Sequence, residues 1–148
     1  MTEPKFDIPL TDKNVVIHRK GATPADKGYV VIPGSRGSYS YLVKPQEQNA
    51  WISGYSLAHG AGRKMSRTKA LASGKSQYEN TDSLTKTELD SQVVWENKDL
   101  LYEEAPDAYK KVEDVVWDME YFGLVKIVAV LKPLMTYKFK KDDRKNEK

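Results

Sequence analysis

Short runs of β-branched and aromatic residues recur through the first third of the chain, and each ends at glycine, proline or a polar stretch. Apolar runs of this length, continuous or alternating with polar residues, are typical of β-strands. The dipeptide Pro33-Gly34 stops one of them, as expected for residues that favour turns. We predict strands over residues 14–19, 28–32, 38–44 and 51–57, with a loop over 21–27.

The hydrophobic period changes from that of strands to that of helices later in the chain. Val112, Val115, Val116 and Met119 follow the i, i+3, i+4, i+7 spacing of an amphipathic helix, and we expect this stripe to pack in the core. Another helix is predicted over residues 64–73, with its cations on the exposed side. These two segments are the helices that the sequence predicts.

Strand patterns return near the end of the chain. Residues 124–131 alternate and are β-branched, so they predict a strand that Pro133 ends or bends. Residues 92–95 predict a shorter strand, whereas the polar stretch 74–91 predicts a loop with a short helical turn. The mixture of separate strands and helices indicates an α+β fold.

Length and composition restrict the class of protein. The 148 residues suffice for one domain with a sizeable core, and we expect it over 14–138, between an irregular lead-in at 1–13 and a charged, disordered tail at 139–148. The chain has no cysteine, which excludes disulfides and thiolate metal ligands. No apolar run is long enough to span a membrane and no secretory signal is visible, so we expect a cytoplasmic protein without membrane contact.

Charge is distributed unevenly along the chain although the formal net charge is only +3. Residues 27–78 carry eight Lys or Arg and one acid, whereas residues 79–123 carry four Lys and thirteen acids. The basic block contains the glycine-rich motifs and indicates a polyanionic ligand such as a nucleotide or RNA. We expect the acidic block to be an ordinary solvated face.

The strongest candidate for chemistry is His59, which stands before the glycine-rich, cation-rich turn Gly60-Ala61-Gly62-Arg63. Glycines allow a ligand to approach the backbone, and unpaired N–H groups at a helix start attract phosphate. A histidine beside a bound phosphate can act as a nucleophile toward it. A surface histidine near a glycine turn is the alternative that these residues leave open.

Four segments in this order resemble the C-terminal part of RtcB-type RNA ligases, from about Val15 to Lys138. They are HRKGA at 18–22, the PGSRGSYS run at 33–40, HGAGRKMSR at 59–67 and PLMTYK at 133–138. The third is highly specific for that family. Arg36 stands where many members have methionine. In this respect the chain resembles the branch of the family that is linked to release factor H.

The resemblance implies a role for each motif residue. His59 aligns with the histidine that attacks the α-phosphate of GTP and becomes a histidine–GMP intermediate. Lys138 matches a lysine that contacts the guanine base. Arg63 and Arg67 would contact phosphates of the nucleotide or of the RNA end. The two arginines are four residues apart, so they would share one helical face if the helix begins at Arg63. The residues implied to bind GTP or GMP are Pro33, Gly34, Ser35, Arg36, Ser40, His59, Gly60, Ala61, Gly62 and Lys138.

The resemblance also implies what the chain lacks. The family's catalytic metals, usually manganese, are held by a cysteine, several histidines and an aspartate upstream of the matching stretch, so we expect no metal site here and Mn²⁺ ligands on a missing N-terminal half. The implied reaction joins RNA 3′-phosphate or 2′,3′-cyclic phosphate ends to 5′-hydroxyl ends, with GTP, in RNA repair or tRNA splicing. The chain is then one part of a split ligase with a separate N-terminal RtcB-like chain, or a truncated remnant. A non-catalytic nucleotide- or RNA-binding fragment is the alternative, and the fold is expected to be incomplete alone, with exposed apolar surface.

Overall fold

A computed structural model describes residues 17–139 and confirms an α+β fold. The strands are β1 (Ala22–Pro24), β2 (Val30–Ile32), β3 (Ser40–Pro45), β4 (Ser56–Ala58), β5 (Gln92–Trp95), β6 (Val125–Leu131) and β7 (Met135–Lys138). The α-helices are α1 (Arg67–Gln77), α2 (Lys98–Glu103) and α3 (Val112–Tyr121), and 3₁₀ turns span Glu47–Ser53, Asp82–Leu84 and Pro106–Ala108. No helix in this part of the chain is both long and apolar enough to cross a membrane.

The strands form three small sheets rather than one large one. Strands β2, β3 and β6 make an antiparallel sheet with β3 in the middle, and its register shifts between Leu42 and Val43. Strands β1 and β4 pair antiparallel, with Ala22 opposite Ala58. Strands β5 and β7 pair in parallel, which places Trp95 opposite Lys138 at one end of that sheet.

Two apolar clusters hold these elements together. The larger one packs α3 on the three-stranded sheet, where Ile32, Val43, Val112 and Val116 are fully buried. Burying an aliphatic side chain contributes roughly 1.5–3 kcal/mol, so each of these four side chains stabilises the packing of α3 on the sheet. The smaller cluster lies around α2 and β5 and is built from Leu84, Val93, Leu101 and Tyr102.

Most of the predicted elements are confirmed, with shifted ends. The strand predicted over 92–95 is found with those bounds, those over 28–32, 38–44 and 124–131 correspond to β2, β3 and β6, and the polar stretch 74–91 contains one 3₁₀ turn as predicted. The helix predicted over 64–73 begins later and continues to Gln77, into the predicted loop. In α3, the predicted stripe is buried at Val112, Val116 and Met119 and half-buried at Val115.

Three predictions are wrong. The segment 51–57 is not one strand, because the 3₁₀ turn continues to Ser53, Gly54 adopts a left-handed φ of 57°, and only then does β4 begin. The loop predicted over 21–27 contains β1, and residues 17–19 are not in a strand. Helix α2 and strand β7 were not predicted. The predictions for 1–13, 14–16 and 140–148 lie outside the described residues.

Candidate nucleotide-binding site

His59 directly follows β4, and its side chain is exposed. Because Ala22 pairs with Ala58, the preceding Gly21 lies beside the histidine. A Cβ atom added to Gly21 would lie 3.9 Å from His59 Nε2, and the residue has a left-handed φ of 74°. Glycine therefore leaves space beside the imidazole nitrogen that a larger residue would fill.

The segment before Gly21 is fastened to β4 through Arg19. Its Nε donates to Ser56 Oγ at 2.9 Å and its Nη2 donates to the Tyr55 carbonyl at 3.0 Å. These bonds tie the segment before β1 to β4, the strand that His59 follows. The other histidine of the described segment, His18, is exposed.

The turn that follows β2 is closed by its own serines. The Gly34 N–H donates to Ser40 Oγ at 3.1 Å, and the Ser38 N–H donates to the Ser35 carbonyl at 3.0 Å. A Cβ on Gly34 would lie 2.0 Å from the Tyr39 carbonyl oxygen, so no other residue fits without moving backbone. Ser40 thus fixes the turn through its oxygen, and its hydroxyl proton is still available as a donor.

The turn after β2 and the turn after His59 pack against each other. A Cβ on Gly60 would lie 3.2 Å from the Pro33 carbonyl oxygen and 3.5 Å from Pro33 Cγ. The next residue, Ala61, is buried in the larger cluster. The structure therefore brings together around His59 three segments that are separate in sequence: 18–22, 33–40 and 59–62.

Arg36, in contrast, is directed into the protein. Only 2% of it is exposed, and its Nη2 donates to the Leu101 carbonyl at 2.8 Å. Its Nη1 has no hydrogen-bond partner among the described residues. Burial lowers the pKa of the guanidinium, and the nearby Tyr78, Glu104 and Tyr109 partly offset this effect. Arg36 supports the turn from inside, and its contact with a nucleotide stays a prediction.

Arg63 uses its whole guanidinium group within the chain. Its Nε donates to the Met65 carbonyl at 3.1 Å and its Nη2 to the Glu103 carbonyl at 2.7 Å. Its Nη1 lies 3.0 Å from both Glu104 Oε1 and the Tyr109 hydroxyl, and its Cζ is 4.9 Å from the centre of the Tyr109 ring. This set of bonds is that of a structural arginine.

Arg63 and Arg67 do not share a helical face, because the helix does not begin at Arg63, which was the condition for that prediction. Helix α1 begins at Arg67, and the Ser66 hydroxyl caps it by accepting from the Lys69 N–H at 3.2 Å. A serine cap of this kind competes with any earlier helical turn. Arg63 lies before the helix, in a segment that forms an isolated β-bridge with Tyr109.

The predicted cations nevertheless meet at a carboxylate, that of Glu104, whose side chain is 10% exposed. Oε1 lies 3.0 Å from Arg63 Nη1 and 3.9 Å from Arg67 Nε. Oε2 accepts from the Tyr109 hydroxyl and from Lys138 Nζ, the latter at 3.4 Å. We call these five residues the Glu104 cluster. We call His59 and the turn Gly60-Ala61-Gly62 that follows it the histidine turn. The Glu104 cluster joins Lys138, at the end of β7, to Arg63, which comes directly after the histidine turn.

The environment keeps Glu104 ionised. Burial by itself raises the pKa of the carboxyl, but the hydroxyl of Tyr109 and the charges of Lys138 and Arg63 outweigh burial, so the pKa lies below its usual value. For Tyr109, burial and the neighbouring carboxylate raise the phenol pKa. At neutral pH the Glu104 carboxyl is therefore ionised and the Tyr109 phenol is protonated.

Glu104 and Tyr109 are the site residues that sequence reasoning missed. The acidic block 79–123 was expected to be a solvated face, which is wrong for Glu103 and Glu104, because both are buried. The available signal was that these two acids lie within a stretch, 100–105, whose other members are Leu, Leu, Tyr and Ala. Acids in an apolar run are rarely buried without partners.

No metal centre can be built from this part of the chain. Residues 17–139 contain no group of three or more His, Asp or Glu side chains placed to hold a metal ion. The Mn²⁺ that the resemblance implies does not fit the described residues.

Comparison with known proteins gives the family. Residues 4–139 match the sequence profile of the family described as tRNA-splicing ligase RtcB. An RNA-splicing ligase RtcB2 of Escherichia coli is 49% identical over 129 residues, which are 87% of this chain and 33% of that protein. A tRNA-splicing ligase RtcB of Nanoarchaeum equitans is 36% identical over 141 residues, covering 85% of this chain and 29% of that protein.

These matches confirm the resemblance: the chain belongs to the RtcB family. A third relative, the tRNA-splicing ligase RtcB of Methanococcus maripaludis, is 38% identical over 136 residues, covering 82% of this chain and 28% of that protein. The chain spans 33% or less of the length of each of these three relatives.

Proposed function

We propose that this chain is the guanylyl-accepting segment of an RNA ligase, with His59 as the nucleophile. In the first step, an imidazole nitrogen attacks the α-phosphorus of GTP, an N–P bond forms, and the bond to the β-phosphate oxygen breaks to release pyrophosphate. An oxygen of an RNA 3′-phosphate then attacks the phosphorus of the bound GMP, so that a P–O bond forms, the N–P bond breaks and the imidazole leaves. The 5′-hydroxyl of a second RNA end attacks that activated phosphorus, forms the phosphodiester and expels GMP.

The observation that carries the proposal is that three segments, 18–22, 33–40 and 59–62, meet around His59. Gly21 leaves space beside Nε2, and Gly60 packs against the carbonyl of Pro33. Within residues 17–139, the N–H groups of Gly60, Ala61 and Gly62 donate to no other backbone group. Free N–H donors next to a nucleophile can stabilise the negative charge that develops on a phosphoryl group in the transition state.

We further propose that the base end of the nucleotide lies toward Lys138 and the turn after β2. The Ser40 hydroxyl proton and the Lys138 ammonium are donors, and a guanine base offers carbonyl and ring-nitrogen acceptors. The Glu104 cluster links Lys138 to Arg63, four residues after His59. Arg67, whose side chain is 71% exposed, is the cation of the cluster best placed to meet an RNA phosphate.

We also propose that the chain binds a protein partner, an N-terminal RtcB-like chain that supplies the Mn²⁺ ligands. The exposed apolar surface supports this proposal. Large hydrophobic side chains around β7 are exposed, among them Leu134, Met135, Tyr137 and Phe139. Contiguous apolar patches of this kind are typical of protein–protein contacts. Size-exclusion chromatography of the two chains together tests this: a shared peak supports the partner, and separate peaks contradict it.

The test of the proposed function is transfer of label from α-labelled GTP. The chain is incubated with Mn²⁺ alone and with the N-terminal chain, and compared with the His59→Ala and His18→Ala variants. The chain has two histidines, so His18→Ala is a matched control. We expect label that His59→Ala abolishes and His18→Ala retains. Label on His59→Ala contradicts the proposal, and retention of GTP without label favours a binding module.

A further inference from the structure

Glu104 connects four side chains that come from four different places in the fold. Arg63 lies after the histidine turn, Arg67 begins α1, Tyr109 follows the 3₁₀ turn Pro106–Ala108, and Lys138 ends β7. Both carboxylate oxygens are used, Oε1 by the arginines and Oε2 by Tyr109 and Lys138. None of the motifs discussed above includes Glu104.

The physical effect of this arrangement is to fix long, flexible cations. A free lysine or arginine side chain loses rotamer entropy when it is held in one position, so it is held only where a partner offsets that loss. A carboxylate that is 10% exposed offers a strong, directional partner, and its own burial is favourable only while those partners are present. Lys138, 28% exposed, is thereby held against the chain rather than left in solvent.

We infer that Glu104 is a positioning residue, which sets the distance between Lys138 and the histidine turn and so fixes where the two ends of the nucleotide bind. This inference rests on the proposed function, because it assigns Lys138 to the base end and His59 to the phosphate end. Glu104 itself touches no nucleotide. Both of its oxygens are occupied, and a negative carboxylate repels phosphate.

Arg63 belongs to the same positioning unit. Its Nη1 bonds both Glu104 Oε1 and the Tyr109 hydroxyl, and its other nitrogens bond the carbonyls of Met65 and Glu103. A guanidinium with all of its nitrogens engaged cannot also donate a bidentate pair of hydrogen bonds to a phosphate without breaking some of these bonds. Arg63 therefore orients the turn that carries His59 rather than binding the RNA end.

The experiment compares Glu104→Gln and Glu104→Asp with the wild-type chain and with Glu79→Gln, a control that removes an exposed acid. GTP affinity is measured by equilibrium dialysis with labelled GTP, with the N-terminal chain present if the wild type requires it. Lys138 is probed by the rate of its acetylation with an amine-reactive ester, read by peptide mass spectrometry. Exposed Lys126 in the same sample is the internal reference.

We expect Glu104→Gln to weaken GTP binding about tenfold, because glutamine keeps the shape but loses the charge that holds Lys138. Acetylation of Lys138 should become severalfold faster relative to Lys126. Glu104→Asp keeps the charge on a shorter side chain, so both effects should be partly reversed. Circular dichroism verifies the fold, and the aspartate variant is the comparison to use if the glutamine variant is unfolded. Glu79→Gln should match the wild type.

Two outcomes overturn the inference: unchanged acetylation of Lys138 in Glu104→Gln, or faster acetylation with unchanged GTP affinity. The first would mean that Glu104 does not hold the lysine, and the second that holding it has no effect on the nucleotide. A wild-type chain that binds no GTP contradicts the proposed function itself. The acetylation rates then still decide whether Glu104 fixes Lys138.

Discussion

Replacing Arg63 by lysine should destabilise the chain although it conserves the charge. Lysine can keep one ion pair with Glu104, but its compact ammonium cannot also reach the Met65 carbonyl, the Glu103 carbonyl and the Tyr109 hydroxyl, all of which the guanidinium bonds. Each lost hydrogen bond costs roughly 1 kcal/mol. With the side chain 25% exposed, we expect a loss of about 2–3 kcal/mol in the free energy of unfolding.

Urea denaturation and thermal melting, followed by circular dichroism at pH 7, measure this loss. For a chain of this size, it corresponds to a fall in Tm of roughly 4–12 °C. The matched control is Arg67→Lys, because Arg67 is 71% exposed and its Nε is 3.9 Å from Glu104 Oε1. The control should change the free energy by no more than about 0.5 kcal/mol. Equal losses in the two variants would refute the structural role assigned to Arg63.

Three further predictions concern Gly34, Gly74 and Glu104. Gly34→Ala should cost about 2–3 kcal/mol or more in urea unfolding and abolish GTP retention, because the new Cβ would lie 2.0 Å from the Tyr39 carbonyl oxygen and the backbone must move; wild-type stability would contradict this. Gly74→Ala should destabilise by about 1 kcal/mol in a thermal melt, because contact 2.9 Å from Tyr102 Cβ outweighs the gain in helix propensity; a higher Tm would show that the helices separate freely. The wild-type chain should be more stable than Glu104→Gln at pH 7. Since the folded pKa of Glu104 is lowered, that advantage is present above the normal glutamate pKa of about 4.3 and is lost as pH falls through the folded value; an advantage that disappears above pH 6 would refute this.

The local sequence pattern was sufficient to predict those strands and helices that bury one face. Strands β2, β3 and β6 and helix α3 were predictable because their apolar residues repeat with the period of the element and meet in one core. Helix α2 was missed because a six-residue helix is too short to show a period. Strand β7 was missed because it pairs in parallel with β5, a non-local contact that leaves no local pattern.

The candidate site, too, was predictable from the sequence only in part. The histidine turn and the turn after β2 were identified from their glycines and from the family resemblance, and their contact through Gly60 and Pro33 is a finding of the structure. The function of Glu104 could not be predicted, because a carboxylate is assigned a structural role only when its partners are known. Those partners lie up to 41 residues away in sequence.

For Arg36, the structure shows a contact that the family resemblance did not imply. The motif placed this arginine at the nucleotide, yet its guanidinium donates to the Leu101 carbonyl across 65 residues of sequence. It therefore connects the turn after β2 to the smaller apolar cluster, which contains Leu101.

The most direct test of the central claim is the localisation of covalently bound GMP by peptide mass spectrometry after incubation with GTP, Mn²⁺ and the proposed N-terminal RtcB-like chain. The account predicts one modified peptide, with the added mass of GMP on His59 through an acid-labile N–P bond. GMP on a lysine or on His18, or no adduct in a mixture that ligates RNA, would contradict the assignment of His59 as the nucleophile.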